Sequence, residues 1–451
     1  MSKPNILLVV MDSVSAGRLS CYGYERQTTP NIDAFAEDSM RYKNVVANSS
    51  WTVPSHGSLF TGSLPSEHGA NARHKRFSVP AGRTLAGRLS SHGYRTVGFS
   101  ANPWVATDFG YETGFDEFVD VHIPLPFNSP RPGRLYQRIR EGRYEGARKY
   151  VEAARWALEG NPVKRTVNLL SDRRQSDAYA SGQVLNEHVS KWLAANDDSP
   201  FFMFLNYMDA HEPYNPSEEY LSEFRDNDCA VDVSWHLRSL DEEYSKLEIE
   251  CINDKYDACL SYLDDRIADL LDTFQRYGIK DDTLIIVTAD HGKCLGEHDY
   301  LGVGTFLYDE LIKIPLIISP ASGIISESVC DDVSLIDVHD IILRAAGIES
   351  TRHRFEAVIS ETLGPHQDVT VRDYELPKCG LRRLENDGRV LIRDCATGDL
   401  IGTYHLSESG ITELEEIESD YLHNREKIGN EECEKQMDPN VKNHLEELGY
   451  L

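Results

Sequence analysis

The chain has 451 residues, enough for a large core and, at roughly 100 to 200 residues per domain, for one large and one small domain. Its 46 basic against 74 acidic residues give a net charge of −28, which disfavours nonspecific binding to nucleic acid or an anionic membrane surface and suggests an acidic soluble surface of the halophile-like kind. The nine cysteines are scattered and form no C-x-x-C pair, so neither a disulfide framework nor a thiolate zinc site is expected, and reduced cytosolic thiols are the default.

The first apolar run, Asn5 to Met11, is too short for a signal sequence or a membrane span, so a cytoplasmic protein is expected. The run ends in Asp12 and reads as a buried strand of a parallel sheet that delivers a polar residue at its C-terminal edge. A helix started by Pro30 follows over Asn31 to Met40, then a helix over Thr84 to Ser91 and a strand over Tyr94 to Phe99. Further strands are predicted at Phe201 to Tyr207, Thr283 to Thr288 and Ile314 to Ile318, with helices at Ala178 to Ala194, Glu243 to Tyr277 and Asp337 to Ala346. This alternation predicts an α/β fold, a mostly parallel central sheet with helices on both faces, over residues 1–350.

Two regions break the rhythm. Residues 131–174 carry twelve Lys or Arg against five acids and read either as a cationic insertion or lid that gathers an anionic substrate or as a solvated helix face. Residues 351–451 change to short strand-like pieces at Gly388 to Arg393 and Gly402 to Leu406, then a charged helical tail from Glu413 to Leu451. They form a smaller C-terminal α+β domain in this reading.

Four segments place polar side chains just after a strand or at a turn: Asp12-Ser13, Ser49 through Gly62, Asn206 through Tyr214, and Thr288-Ala-Asp-His-Gly292 leading to Gly296-Glu-His298. Together they supply carboxylates, an imidazole and a hydroxyl able to surround one hard divalent cation. Each has a plain structural alternative. Asp-His-Gly is a common turn, and Asp12 or Thr52 alone suits a helix cap.

In their order along the chain, these segments resemble the sulfatase family of the alkaline phosphatase superfamily. Cys21-Tyr-Gly-Tyr, Thr29-Pro-Asn-Ile-Asp33, Thr61-Gly, His68-Gly and the Pro315-Leu-Ile-Ile strand extend the likeness over nearly the whole chain. The resemblance implies a metal-dependent ester hydrolase or transferase acting on an anionic ester. Asp12, Asp290, His291 and Thr52 would hold one divalent ion, Ca, Mg, Mn or Zn, with Thr52 as nucleophile and His211 and His298 at the ester oxygens or leaving group. Asn71, His56 and Lys293 are candidate substrate contacts. Nothing in the sequence speaks to oligomeric state or to the physiological substrate.

The departures from the family pattern carry information. The family's turn reads Cys or Ser-x-Pro-Ser-Arg, its first residue oxidised to formylglycine; here it reads Thr52-Val-Pro-Ser-His56. Oxidising a secondary alcohol gives a ketone, so no formylglycine is expected, and a threonine suits phosphoryl transfer better than sulfate release. Ser13 replaces a second aspartate. Two lysines of the family fall on the Ser100-Ala-Asn-Pro103 stretch and on Val303, leaving Lys293, Lys75, Arg73 or the Arg-rich segment to supply positive charge. A phosphate diester or phosphonate is therefore favoured as substrate; the alternatives are a sulfatase that uses Thr52 and a noncatalytic binding protein on the same fold.

Overall fold

The structure is a computed structural model, and it describes residues 3–121, 182–196, 200–226, 231, 244–319, 332–349, 356–364, 380–395 and 397–424. The Arg-rich stretch 131–174 and the chain beyond residue 424 lie outside the described residues.

Seven strands form the central sheet. In chain order they are β1 (Asn5–Met11), β2 (Met40–Arg41), β4 (Arg95–Ser100), β5 (Glu117–Asp120), β6 (Phe201–Tyr207), β7 (Thr283–Ala289) and β10 (Leu316–Ser319), with the short β3 (Asn44–Val46) lying outside the sheet and paired with β11 (Asp332–Ser334). Two further short strands, β8 (Cys294–Leu295) and β9 (Leu301–Gly302), pair as a hairpin. The sheet order is β2-β10-β7-β1-β6-β4-β5. The run from β7 to β5 is parallel, and β10 joins β7 antiparallel. Strand β1 lies between β6 and β7, buried on both faces, which is why its sequence is uniformly apolar instead of alternating.

Helices cover both faces. They are α1 (Pro30–Glu37), α2 (Thr52–Thr61), α3 (Leu85–Ser91), α4 (Gly182–Ala195), α5 (Lys246–Arg276) and α6 (Leu335–Ala345). Alternate residues of β6 show the two layers, as the period of two along a strand requires. Phe204 meets Phe60 of α2, with ring centroids 4.9 Å apart, whereas Phe201 meets Trp192 of α4 at 5.3 Å and Phe274 of α5 at 6.3 Å. Helix α5 starts where Ser245 and Glu248 form a reciprocal capping box, and no helix among the described residues is long and apolar enough to cross a membrane.

The C-terminal part contains a four-stranded antiparallel sheet in the order β12 (Val358–Thr362), β13 (Leu381–Asn386), β14 (Arg389–Asp394), β15 (Leu400–Tyr404), followed by helix α7 (Glu408–Asn424). Its small core gathers Ile359, Leu384, Leu391, Leu414 and Tyr421, but it is closed by Leu64 and Ile336 from the larger body. The sheet therefore leans on the segment that follows α2 and on α6.

One expectation is corrected. Cys251 on α5 is disulfide-bonded, whereas Cys21, Cys259, Cys294 and Cys395 are free. The scattered spacing hid this because a disulfide depends on proximity in the fold, not on separation along the chain.

Candidate active site

The polar segments converge at the C-terminal edge of the parallel sheet, where ligand sites of open α/β folds lie. Asp12 directly follows strand β1 and Asp290-His291 the neighbouring β7; because the strands are adjacent and in register, with Met11 opposite Ala289, the three side chains meet. Asp12, Asp290 and His291 are fully buried, with one ligand atom from each lying within 4.8 Å of the others. Gly292 must follow them, since a Cβ there would lie 2.1 Å from the carbonyl oxygen of Glu310.

The electrostatics of the trio fit a cation. Burial alone would raise the carboxyl of Asp12, yet the surrounding His211, His291 and His56 and a hydrogen bond from Asn102 hold it below its usual value. Asp290 is instead pushed well above the carboxylate range by burial and by the charge of Asp12. Two adjacent buried carboxyls cannot both stay ionised without compensating positive charge. Oδ1 of Asp290 accepts from the amides of Ser13, at 3.2 Å, and His291, at 2.8 Å, while buried Oδ2 has no hydrogen-bond partner. Nδ1 of His291 lies 2.8 Å from the carbonyl of Gly292, which can only accept, so the neutral ring presents its Nε2 lone pair inward, 3.4 Å from that orphaned oxygen. Burial keeps His291 below its normal pKa. A lone pair, two carboxylate oxygens and a hydroxyl facing one point make a donor set suited to a hard divalent ion.

Thr52 opens α2 with its Oγ1 3.3 Å from Nε2 of His291 and is only 5% exposed. The partial positive charge of the α2 N-terminus points at the same spot. Ser13 has a left-handed φ of 61°, and its carbonyl accepts from Tyr256 of α5 at 3.0 Å. The serine in place of a second aspartate thus contributes its amide to Asp290 and its hydroxyl, at 3.0 Å, to Asp12.

The remaining candidates separate by position. His211 joins the cluster: its Nε2 is 4.0 Å from Oδ1 of Asp12, its Nδ1 is 2.7 Å from the carbonyl of Glu212, and burial lowers it to a pKa of about 3. Lys293 is also at the site, 1% exposed, in contact with the carboxylate of Glu212 and 5.8 Å from the ring centroid of Tyr214. Burial lowers its pKa to about 7. His56 is wholly buried beside the trio: its Nδ1 is 3.0 Å from the Thr52 carbonyl and 3.5 Å from Oδ2 of Asp290, and its Nε2 meets the amide of Asn206 at 3.1 Å. Asn71 spends its amide on its own loop, accepting from Arg73 at 2.9 Å and donating to Gly69 at 2.8 Å. His298 is exposed and stands apart, 3.0 Å from Glu310 and stacked on Tyr308. Lys75 lies over the ring of Trp104, 4.5 Å from its centroid.

Two participants lay unrecognised in quoted segments. Asn102, just beyond β4, donates to Oδ2 of Asp12 at 2.6 Å; its position two residues after a central strand was the available signal. Glu212, beside His211, holds Lys293. No sequence feature pairs those two.

A family model described as Sulfatase matches residues 4–348. An arylsulfatase of Clostridium perfringens is 24% identical over 404 residues, covering 82% of this chain and 80% of that protein. A multifunctional alkaline phosphatase superfamily protein of Trinickia caryophylli is also 24% identical over 404 residues, covering 78% and 75%. The crystal structure of the phosphonate monoester hydrolase of Agrobacterium radiobacter superposes with a TM-score of 0.60 at 18% identity, covering 94% and 93%; it shares the fold. With the match spanning most of its length, the chain belongs to the sulfatase family and is one of its ester hydrolases.

Proposed function

We propose that the protein cleaves a phosphate diester or phosphonate, by hydrolysis or by transfer to an acceptor alcohol, through the Thr52 hydroxyl. The observation that carries this reading is the placement of Thr52 Oγ1 3.3 Å from His291 Nε2, at a helix N-terminus and beside the buried Asp12, Asp290 and His291. These three side chains and Thr52 would hold one divalent cation. When bound, that ion supplies the positive charge that acidifies the hydroxyl and offsets the charge of the ester oxygens.

Thr52 then attacks the phosphorus in line, one P–O bond forms as the bond to the leaving oxygen breaks, and the phosphoryl group rests on the threonine. Water or an alcohol releases it in a second displacement. The proton that leaves the acidified hydroxyl ends on the departing oxygen, and His211, with its Nε2 toward Asp12, lies where that oxygen or the other ester oxygens would sit. Lys293, on the same wall, is the cation placed to meet the ester's negative oxygen. His298, exposed against Glu310 and Tyr308, would act from the outer rim. Formylglycine chemistry has no place here, because threonine carries a methyl group where an aldehyde hydrogen is needed.

A second reading, sulfate ester hydrolysis through Thr52, draws on likeness to proteins named arylsulfatase and choline-sulfatase; phosphonate monoester hydrolases and a 2-O GAG sulfatase share the fold alike, so the first reading rests on the threonine itself. The deciding experiment offers aryl sulfate, aryl phosphate, phosphate diester and phosphonate monoester side by side, with Ca, Mg, Mn and Zn added in turn. We expect the diester or phosphonate to be turned over fastest; sulfate ahead of every phosphorus ester would overturn the first reading in favour of the second.

A further inference from the structure

The turn that carries Thr52 does not belong to the sheet that carries Asp12 and Asp290. Strand β12 of the C-terminal sheet holds it from one side. Ser360 Oγ donates to the Ala47 carbonyl at 2.7 Å, the Glu361 amide donates to the Asn48 carbonyl at 2.8 Å, and Asn48 Nδ2 donates to the Ile359 carbonyl at 2.8 Å. Ser49 Oγ donates to the Glu361 carbonyl at 2.7 Å. From the other side, the Gly304 amide donates to the Ser50 carbonyl at 2.8 Å and Ser55 Oγ, on the first turn of α2, donates to the Ser49 carbonyl at 3.0 Å. Ser49 is therefore gripped between β12 and the helix turn that begins with Thr52.

Glu361 is itself immobilised. It is wholly buried; its Oε1 accepts from Nε and Nη2 of Arg382 at 2.9 and 2.8 Å, and its Oε2 accepts from the Ser66 amide at 3.0 Å. Arg382 extends the clamp to Glu418 of α7 at 3.0 Å. A buried ion pair is weak evidence of a stability role, since apolar packing of similar volume commonly replaces one without loss. Its directional, fully satisfied bonds do fix position.

We propose that β12, locked by Glu361 and Arg382, is a positioning element for the nucleophile, and that Ser49 is the positioning residue through which it sets the Thr52 hydroxyl against Asp12, Asp290 and His291. The C-terminal sheet is then a working part of the catalytic site. This rests on the reading of Thr52 as nucleophile.

The test uses the full chain with Mn2+ and either the 4-nitrophenyl monoester of phenylphosphonate or 4-nitrophenyl sulfate, whichever the unaltered protein turns over faster. Ser49→Ala is expected to lower kcat by about ten- to a hundredfold, as slight misplacement of a reacting group does, while KM, the Mn2+ dissociation constant and Tm stay close to the parent values. Glu361→Gln should lower kcat in the same direction, and the double variant should lose less than the product of the two losses, because both act through one contact. If Glu361→Gln does not fold, Ser49→Ala decides alone. Unchanged kcat in Ser49→Ala overturns the proposal, as does a loss of kcat accompanied by equal weakening of Mn2+ binding and Tm, the mark of general loosening. Thr52→Ala separates the two readings: if it is dead and Ser49→Ala is intact, only the positioning role falls; if it stays active, the nucleophile falls and the positioning role with it.

Discussion

The two walls of the site are built on different principles. Asp12, Asp290 and His291 leave the ends of two adjacent parallel strands whose backbones hydrogen-bond along their whole length, so their convergence follows from strand register. Thr52 leaves a turn outside that sheet, steadied by Ser49, Gly304 and β12. One wall is fixed by a continuous ladder of hydrogen bonds between two neighbouring strands of the central sheet; the other depends on a few hydrogen bonds from a second sheet and from a loop. Damage to the first should abolish cation binding, and damage to the second should leave cation binding intact and disturb the chemistry.

The largest expected effect is on the first wall. Asp290→Asn should eliminate turnover and bring bound divalent ion, read by metal analysis after dialysis, to background, because one of the two carboxylates proposed to hold the ion is lost. The apoprotein should not be destabilised by it, since Asp290 is already pushed toward its neutral form by burial and Asp12; a Tm well below the metal-free parent would contradict that account. In the parent, adding the ion at a hundred times its dissociation constant should stabilise the fold by about 2.7 kcal/mol, and Asp290→Asn should show no such shift.

Next in size is Thr52→Ala, expected to lower kcat on the order of a thousandfold or more while a divalent ion still binds. Thr52→Ser should retain most of the activity, because it keeps the hydroxyl. Equal loss in both variants would mean that the methyl group, not the oxygen, matters.

Smaller again is Asn102→Ala. Removing the 2.6 Å donor to Asp12 should weaken metal affinity about ten- to a hundredfold, the usual cost of losing an outer partner of a ligand, measured by calorimetric titration with Mn2+. Unaltered affinity would show that Asp12 is oriented by Ser13 alone.

The smallest effect lies away from both walls. His68 is wholly buried behind α2, where burial lowers its pKa to about 3 from an ordinary 6.5. The folded state thus refuses a proton that the unfolded chain accepts, so this contribution to stability is complete above pH 6.5 and is lost as pH falls toward about 3. His68→Gln should flatten the decline of the urea midpoint between pH 6.5 and 4; an unchanged slope would assign that decline to other groups such as His56 and His211, which are depressed in the same way.

The strands legible in the sequence were those buried on both faces. Phe201 to Tyr207 matches β6 at both ends, and Asn5 to Met11 matches β1, because a short continuous apolar run marks the extent of a strand buried on both faces. Short or edge elements, β2 and β5 among them, were missed; two to four residues carry too little periodicity to read. The candidate metal trio was readable because Asp12 and the Asp290-His291 pair follow directly on such strands. His56, Asn71 and His298 were nominated by their places in motifs; His56 hydrogen-bonds Asn206 beside Asp290, Asn71 hydrogen-bonds Gly69, and His298 lies exposed against Glu310 and Tyr308.

What the sequence determined by itself was the α/β layering, the family resemblance and the candidacy of Asp12, Thr52, Asp290 and His291, since apolar patterning and residues next to strand ends are local properties. What only the tertiary structure decided was which polar groups answer them: Asn102 on Asp12, Glu212 on Lys293, Glu361 and Ser49 behind Thr52. Those pairings join segments with no shared periodicity, brought together by the packing of one sheet against another, and packing of that kind leaves no mark on either segment alone.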